Sequence, residues 1–131
     1  MVSGVSVDEC DHQLADTVLF YRRIPALKVV SYVDELGTHL RPSSDCFTDN
    51  SSSMSLFAKD ECGGLAVVME GHGGFLLVQL TAGQLRSVGL QLVQAFAGGP
   101  GHYEAIGKKT NSIKLRLAKM CEWVIAPVRS E

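Results

Sequence analysis

The sequence predicts a single small α+β domain with a mixed or antiparallel sheet and two to three helices. Three observations carry that prediction. The chain has 131 residues, one domain's worth of polypeptide. Short β-branched or apolar runs at 17–24 and 75–80 read as strands, and an amphipathic run after 110 reads as a helix. Strands and helices follow one another without a repeating βαβ rhythm, which disfavours a doubly wound parallel sheet. The composition agrees: 46% hydrophobic and 20% charged residues exclude intrinsic disorder for the bulk of the chain.

Residues 1–16 carry Asp8, Glu9, Asp11 and Asp16, have no clear period, and read as a flexible N-terminal arm before a domain at 17–131. Thr17–Ile24 (TVLFYRRI) ends at Pro25 and reads as a strand. Leu27–Val33 is a second extended segment, stopped by Asp34-Glu35 and Gly37. Thr38–Ser53 reads mostly as loop, because it combines Pro42, a serine-rich stretch and Asp49-Asn50. Met54–Ala58 is a short strand. The LAVVME run inside 63–71 fits a short helix or a buried strand equally.

The second half is sharper. Phe75–Leu80 (FLLVQL) has the unbroken apolar character of a strand covered on both faces. Thr81 can cap a helix over 82–88 that stops at Gly89. A strand from Leu90 and a return strand at His102–Ile106 flank the Gly98–Gly101 turn. Thr110 or Asn111 then caps a helix to about Cys121, with Ile113, Leu117, Met120 and Cys121 on one face. Trp123–Ala126 is a last strand, ended by Pro127.

Charge and cysteines bound the function. A formal net charge of −2 leaves no global footprint for nucleic acid, and no run is long and apolar enough to span a bilayer. The start, MVSGVSVDEC, is acidic where an export signal is basic and apolar, so a cytoplasmic setting is expected. Cys10, Cys46, Cys62 and Cys121 form no C-x-x-C pair and read as free thiols. Cys121 reads as a small core hydrophobe, and Cys10 and Cys62 as the readily labelled pair.

Several polar clusters could carry chemistry. Gly107-Lys108-Lys109-Thr110 joins a strand to a helix, but its spacing fails the P-loop pattern. An anion at the helix start, drawn by the two lysines and the helix dipole, is the weaker reading that survives. Arg41-Pro42-Ser43-Ser44 offers a guanidinium beside two hydroxyls. His102 opens the strand leading to Lys108 and could act as acid or base. Against each stands a structural reading: a solvated helix face, serines bonding their own backbone, a semi-buried histidine. His72, between glycines in EGHGG, is a poor metal ligand, and neither a metal nor a cofactor is expected. Arg22 and Arg23 alternate in a strand, so one of them points to each face.

The segments LFYRRIP (19–25), RPSSDCFTD (41–49), HYEAIGKKT (102–110) and RLAKMCEWVIAP (116–127) resemble a group of small bacterial proteins to which no activity is assigned. The resemblance covers most of 18–127 and falls on the same polar residues. It leaves out the N-terminal arm and the glycine-rich 63–74 region.

The reading is a small soluble binding or interaction module for an anionic ligand or protein partner. Its ligand-binding residues would be Arg41, Ser43, Ser44, His102, Lys108, Lys109 and Thr110. Oligomeric state is left open. The alternative is a small enzyme. An arginine on a strand (Arg22 or Arg23), a Ser-x-Ser (Ser53, Ser55) and Glu104 are similar in order to the ADP-ribosyltransferase pattern, which implies a nucleotide substrate. Convergence of Arg22 or Arg23, Ser55 and Glu104 in one cleft would favour the enzyme.

Overall fold

The computed structural model describes residues 14–48, 53–95, 99 and 101–128. Their order is β1 (Leu19–Pro25), β2 (Val29–Asp34), β3 (Gly37–Pro42), a 3-10 turn (Ser44–Cys46), β4 (Ser55–Ala58), α1 (Leu65–Met69) and β5 (Phe75–Thr81), then α2 (Ala82–Ser87), β6 (Gln91–Gln94), β7 (His102–Ile106), α3 (Asn111–Met120) and β8 (Glu122–Ile125). Six strands make one antiparallel sheet in the order β6-β7-β4-β1-β5-β8; β2 and β3 form a separate two-stranded sheet. The fold is therefore a small α+β domain. The expected arm falls mostly on residues outside the described ones. Its last part is tied down: Leu14 packs on the core and Asp16 pairs with Arg86 at 2.6 Å.

Alternation along the central strands divides the apolar residues between two faces. Phe20, Ile24, Leu56, Val78, Leu80, Leu92, Tyr103 and Ala105 join the main core. Tyr21, Leu77, Cys62 and Val68 build a smaller cluster on the opposite side. The unbroken FLLVQL run is explained by this arrangement, since β5 is packed on both faces.

The helices follow their caps. Thr81 and Gln84 form a reciprocal capping box at α2, each side chain bonding the other's backbone N–H. Thr110 Oγ1 accepts the Ile113 N–H at α3. Leu117 and Ala118 are buried; Ile113, Met120 and Trp123 pack against the core only in part. α3 lies mainly against the 3-10 turn and β3. The 63–71 segment resolves as helix α1, begun at Gly63 and Gly64, whose φ values of 90° and 102° favour glycine.

One expected loop is a strand. Gly37–Pro42 pairs with β2 along its whole length, from Val29↔Pro42 to Asp34↔Gly37. The turn is the pair Glu35-Leu36, with Asp34 Oδ1 accepting the Leu36 N–H at 2.8 Å. The ribbon has no fully buried face, so GTHLRP lacks the apolar alternation that marks a strand. Its anchor is Trp123, whose indole N–H donates to the Leu40 carbonyl at 3.0 Å. Gly101, in the β6–β7 connection, sits so close to the Glu61-Cys62 backbone that a Cβ would lie 2.7 Å from the Cys62 nitrogen.

Cys62, expected to be readily labelled, is only 3% exposed, because Tyr21, Val68 and Leu77 close over it. Cys46 is buried as well, and burial pushes the partly covered Cys121 thiol up to about 12. In native protein at pH 8, alkylation at Cys46, Cys62 and Cys121 should therefore be slow and should accelerate on unfolding; peptide mapping after timed labelling checks this. Replacing the fully buried Leu117 with alanine should cost about 2–5 kcal/mol, read from denaturant unfolding.

Candidate functional site

β1 hydrogen-bonds to β5 over its full seven residues but to β4 only at Phe20↔Ala58 and Tyr21↔Phe57. Past Tyr21 the two strands part, and a cavity of about 390 Å³ opens between them. Parting strands leave ladder carbonyls without amide donors. Arg22 supplies donors from its side chain. Its Nη1 donates to the Ser55 carbonyl at 2.9 Å, and its Nε and Nη2 donate to the Cys46 carbonyl at 3.0 and 2.9 Å. One guanidinium thus holds β4, the 3-10 turn and β1 together.

Arg23 turns to the other face. Its Nη1 donates to the Val68 carbonyl at 2.8 Å, and its guanidinium stands 4.8 Å from the Phe57 ring centroid. Lys28 reaches the rim from the β1–β2 link and pairs with Asp45 at 2.9 Å. Asp45 also accepts the Ser43 hydroxyl at 2.6 Å; this bond, followed by Lys28, holds its carboxyl below the usual carboxylate range. Phe75 and His72 meet edge to face at 5.4 Å and complete the lining. Among the described residues the lining carries three permanent cations against one carboxylate, so their potential favours anions.

Beside the cleft, β4 and β7 bring three polar groups together. Ser55 pairs directly with Glu104 across the ladder, so their side chains share a face. His102, two residues before Glu104, shares that face as well. Its Nδ1 lies 3.1 Å from the Ala95 carbonyl, which only accepts, so Nδ1 carries a proton. In the neutral ring Nε2 then accepts the Ser55 hydroxyl, 3.0 Å away. The imidazole also stacks obliquely on Phe57, with centroids 5.3 Å apart.

The ligand residues expected from sequence occupy several places. Arg41 lies on β3 and lines a second cavity with Ala118, Lys119 and Cys121 near the end of α3. Lys108 and Lys109 precede the start of that ten-residue helix, about 15 Å away along its axis. Lys109 donates to the Gly107 carbonyl at 3.1 Å, Lys108 is exposed, and Thr110 serves its own helix as cap. His102 begins β7 and the lysines follow its other end. Ser44 opens the 3-10 turn, and Ser43 holds Asp45. Only Ser43 and His102 of that set stand beside the β1–β4 cleft, one through Asp45 and the other through Ser55.

Sequence reasoning singled out Arg22, Arg23 and Ser55, which line the cleft; Glu104, singled out with them, lies opposite Ser55 on β7 and is not among the described lining residues. It missed Lys28, Phe57 and Phe75 as lining residues. Their positions depend on the parting of β1 from β4, which has no local signal. Among the described residues no three His, Cys, Asp or Glu side chains gather as metal ligands, and no helix is long and apolar enough to cross a membrane. No family model, curated protein or solved structure matches the chain.

Asp45 is the one carboxylate among the described residues of the cleft lining. Asp45→Asn should therefore tighten binding of inorganic pyrophosphate about two- to five-fold at low salt, the range of one partly exposed charge interaction. Titration calorimetry on parent and variant checks it.

Proposed function

We propose that the protein is a small transferase of the ADP-ribosyltransferase type that takes a nicotinamide dinucleotide in the cleft between β1 and β4. The observation that carries this reading is the placement of Glu104 directly opposite Ser55 on the β4–β7 ladder, next to a cleft lined by Arg22 and Ser55; Glu104 itself stands beside the cleft and is not among its described lining residues. The same three residues follow the order of the transferase pattern in the sequence. The cleft supports the reading through its chemistry. Arg23, Lys28 and Arg22 give a field suited to a pyrophosphate, and Phe75 gives a ring face suited to a planar base.

The reaction breaks the C–N bond between the ribose C1′ and the nicotinamide nitrogen. Nicotinamide leaves with the bonding electron pair and becomes neutral. Positive charge develops on the ribose, as in an oxocarbenium ion, and a carboxylate nearby stabilises it. Glu104 has that role. A hydroxyl, amine or water then attacks C1′ and loses its proton. Ser55, fixed by its bond to His102, positions the ribose. A cytoplasmic setting accompanies the proposal, since the described cysteines are free thiols.

Release of nicotinamide from the oxidised dinucleotide, with water or the protein itself as acceptor, is the test. Glu104→Gln should lower kcat by at least about 100-fold while changing dinucleotide affinity by no more than a few-fold, because it removes an interaction made in the transition state. Binding without turnover in the parent would replace the enzyme with an anion-binding module that uses the same cleft. Neither binding nor turnover would end both readings.

A further inference from the structure

From the second cavity we infer a ligand site, separate from the β1–β4 cleft, that binds a small planar aromatic monoanion such as an aryl carboxylate. The cavity is about 440 Å³ and lies where the β2–β3 ribbon meets the end of α3 and the start of β8. That volume suits a compact ring system. Its walls combine aromatic surface from Tyr32 and Trp123 with the charges of Arg41, Lys119 and Glu122. Among the described lining residues, two permanent cations against one carboxylate leave a surplus of one positive charge, which matches a monoanion. His39, on the same wall, is held at 2.8 Å by Asp34 and stacks on Tyr32.

Arg41 is the decisive residue. Its Nη1 donates to the Pro42 carbonyl at 3.0 Å, yet its Nε is buried and has no hydrogen-bond partner among the described residues. A guanidinium has five donors and normally meets a carboxylate in a planar fork. Here it has no ion pair among the described residues, and neither does Lys119. Glu122, the carboxylate among the described lining residues, accepts the Gln79 amide at 3.2 Å. A buried donor left without a partner is costly, and an incoming carboxylate that lets Arg41 turn its fork outward relieves that cost. The ring of such a ligand would lie against Trp123 and Tyr32, where its apolar faces leave water.

Trp123 makes the site directly observable, because it is the chain's one tryptophan and it lines this cavity. The experiment is a fluorescence titration of the intact protein with benzoate and with benzamide, its neutral isostere. A saturable change with benzoate is expected, with affinity for benzamide lower by roughly ten-fold, the loss of about one charge-assisted contact. Arg41→Gln should weaken benzoate binding by a similar factor. Lys119→Ala, at an exposed helix position that should not affect folding, should weaken it less but measurably. No saturable signal, equal affinity for benzamide, or an unchanged response in both variants would overturn the assignment.

Discussion

The Arg22 guanidinium is the constraint on which the cleft depends. An antiparallel sheet normally closes the space between neighbouring strands with amide-to-carbonyl bonds. In this sheet β1 and β4 stop bonding after two residue pairs, and one side chain takes over. It bonds the carbonyls of Ser55 and Cys46 without closing the gap, because a guanidinium on its stem reaches farther than a backbone amide. Hydrogen bonds to a charged donor are stronger than neutral ones. The sheet therefore keeps its continuity at the edge of an opening, and the opening receives a rigid positive wall.

Two neighbouring arginines divide structural and surface roles through strand alternation alone. Arg22 points toward the turn that carries Cys46, while Arg23 crosses to Val68 and the Phe57 ring. Each is held at two places, so little side-chain freedom remains to be lost when an anion arrives. Lys28 differs. It is exposed and, among the described residues, its ammonium is tethered to Asp45, which suits adjustment at the rim more than fixed recognition. On the far side of β4, His102 fixes the Ser55 hydroxyl through a tautomer set by Ala95. The site thus combines hydrogen-bonded guanidinium groups, an exposed ion pair at the rim and an oriented hydroxyl.

Much of the fold was legible because the decisive signals were local. Thr81 with Gln84, Thr110 before Ile113, and the FLLVQL run each carry their structure within a few residues. The β2–β3 ribbon was half legible. Its stop at Asp34 and Gly37 was visible, but its second strand is amphipathic in neither sense. Cys62 misled for a related reason: its neighbours in sequence are polar, while its neighbours in space are Tyr21, Val68 and Leu77. For the site, the order of Arg22, Ser55 and Glu104 was visible in the sequence; sheet register sets Ser55 opposite Glu104, while Arg22 reaches Ser55 only through its side chain. The scattered positions of Arg41, Lys108 and Lys109 follow from α3, which separates its two ends by its own length.

The β2–β3 ribbon has a mechanical consequence. Two strands alone are marginal in water, so this sheet depends on what it touches. Its contacts run through the Trp123 indole and the end of α3, while its tip leaves Val33 and Leu36 largely exposed. The ribbon is therefore a candidate unit of local opening: it can detach at the Leu40 carbonyl while the six-stranded sheet keeps its ladder. Such an opening would remove one wall of the cavity around Arg41 and pull on the four residues between Arg41 and Cys46. The far end of that short tether is the carbonyl that Arg22 holds, so the two cavities share a mechanical link through the backbone.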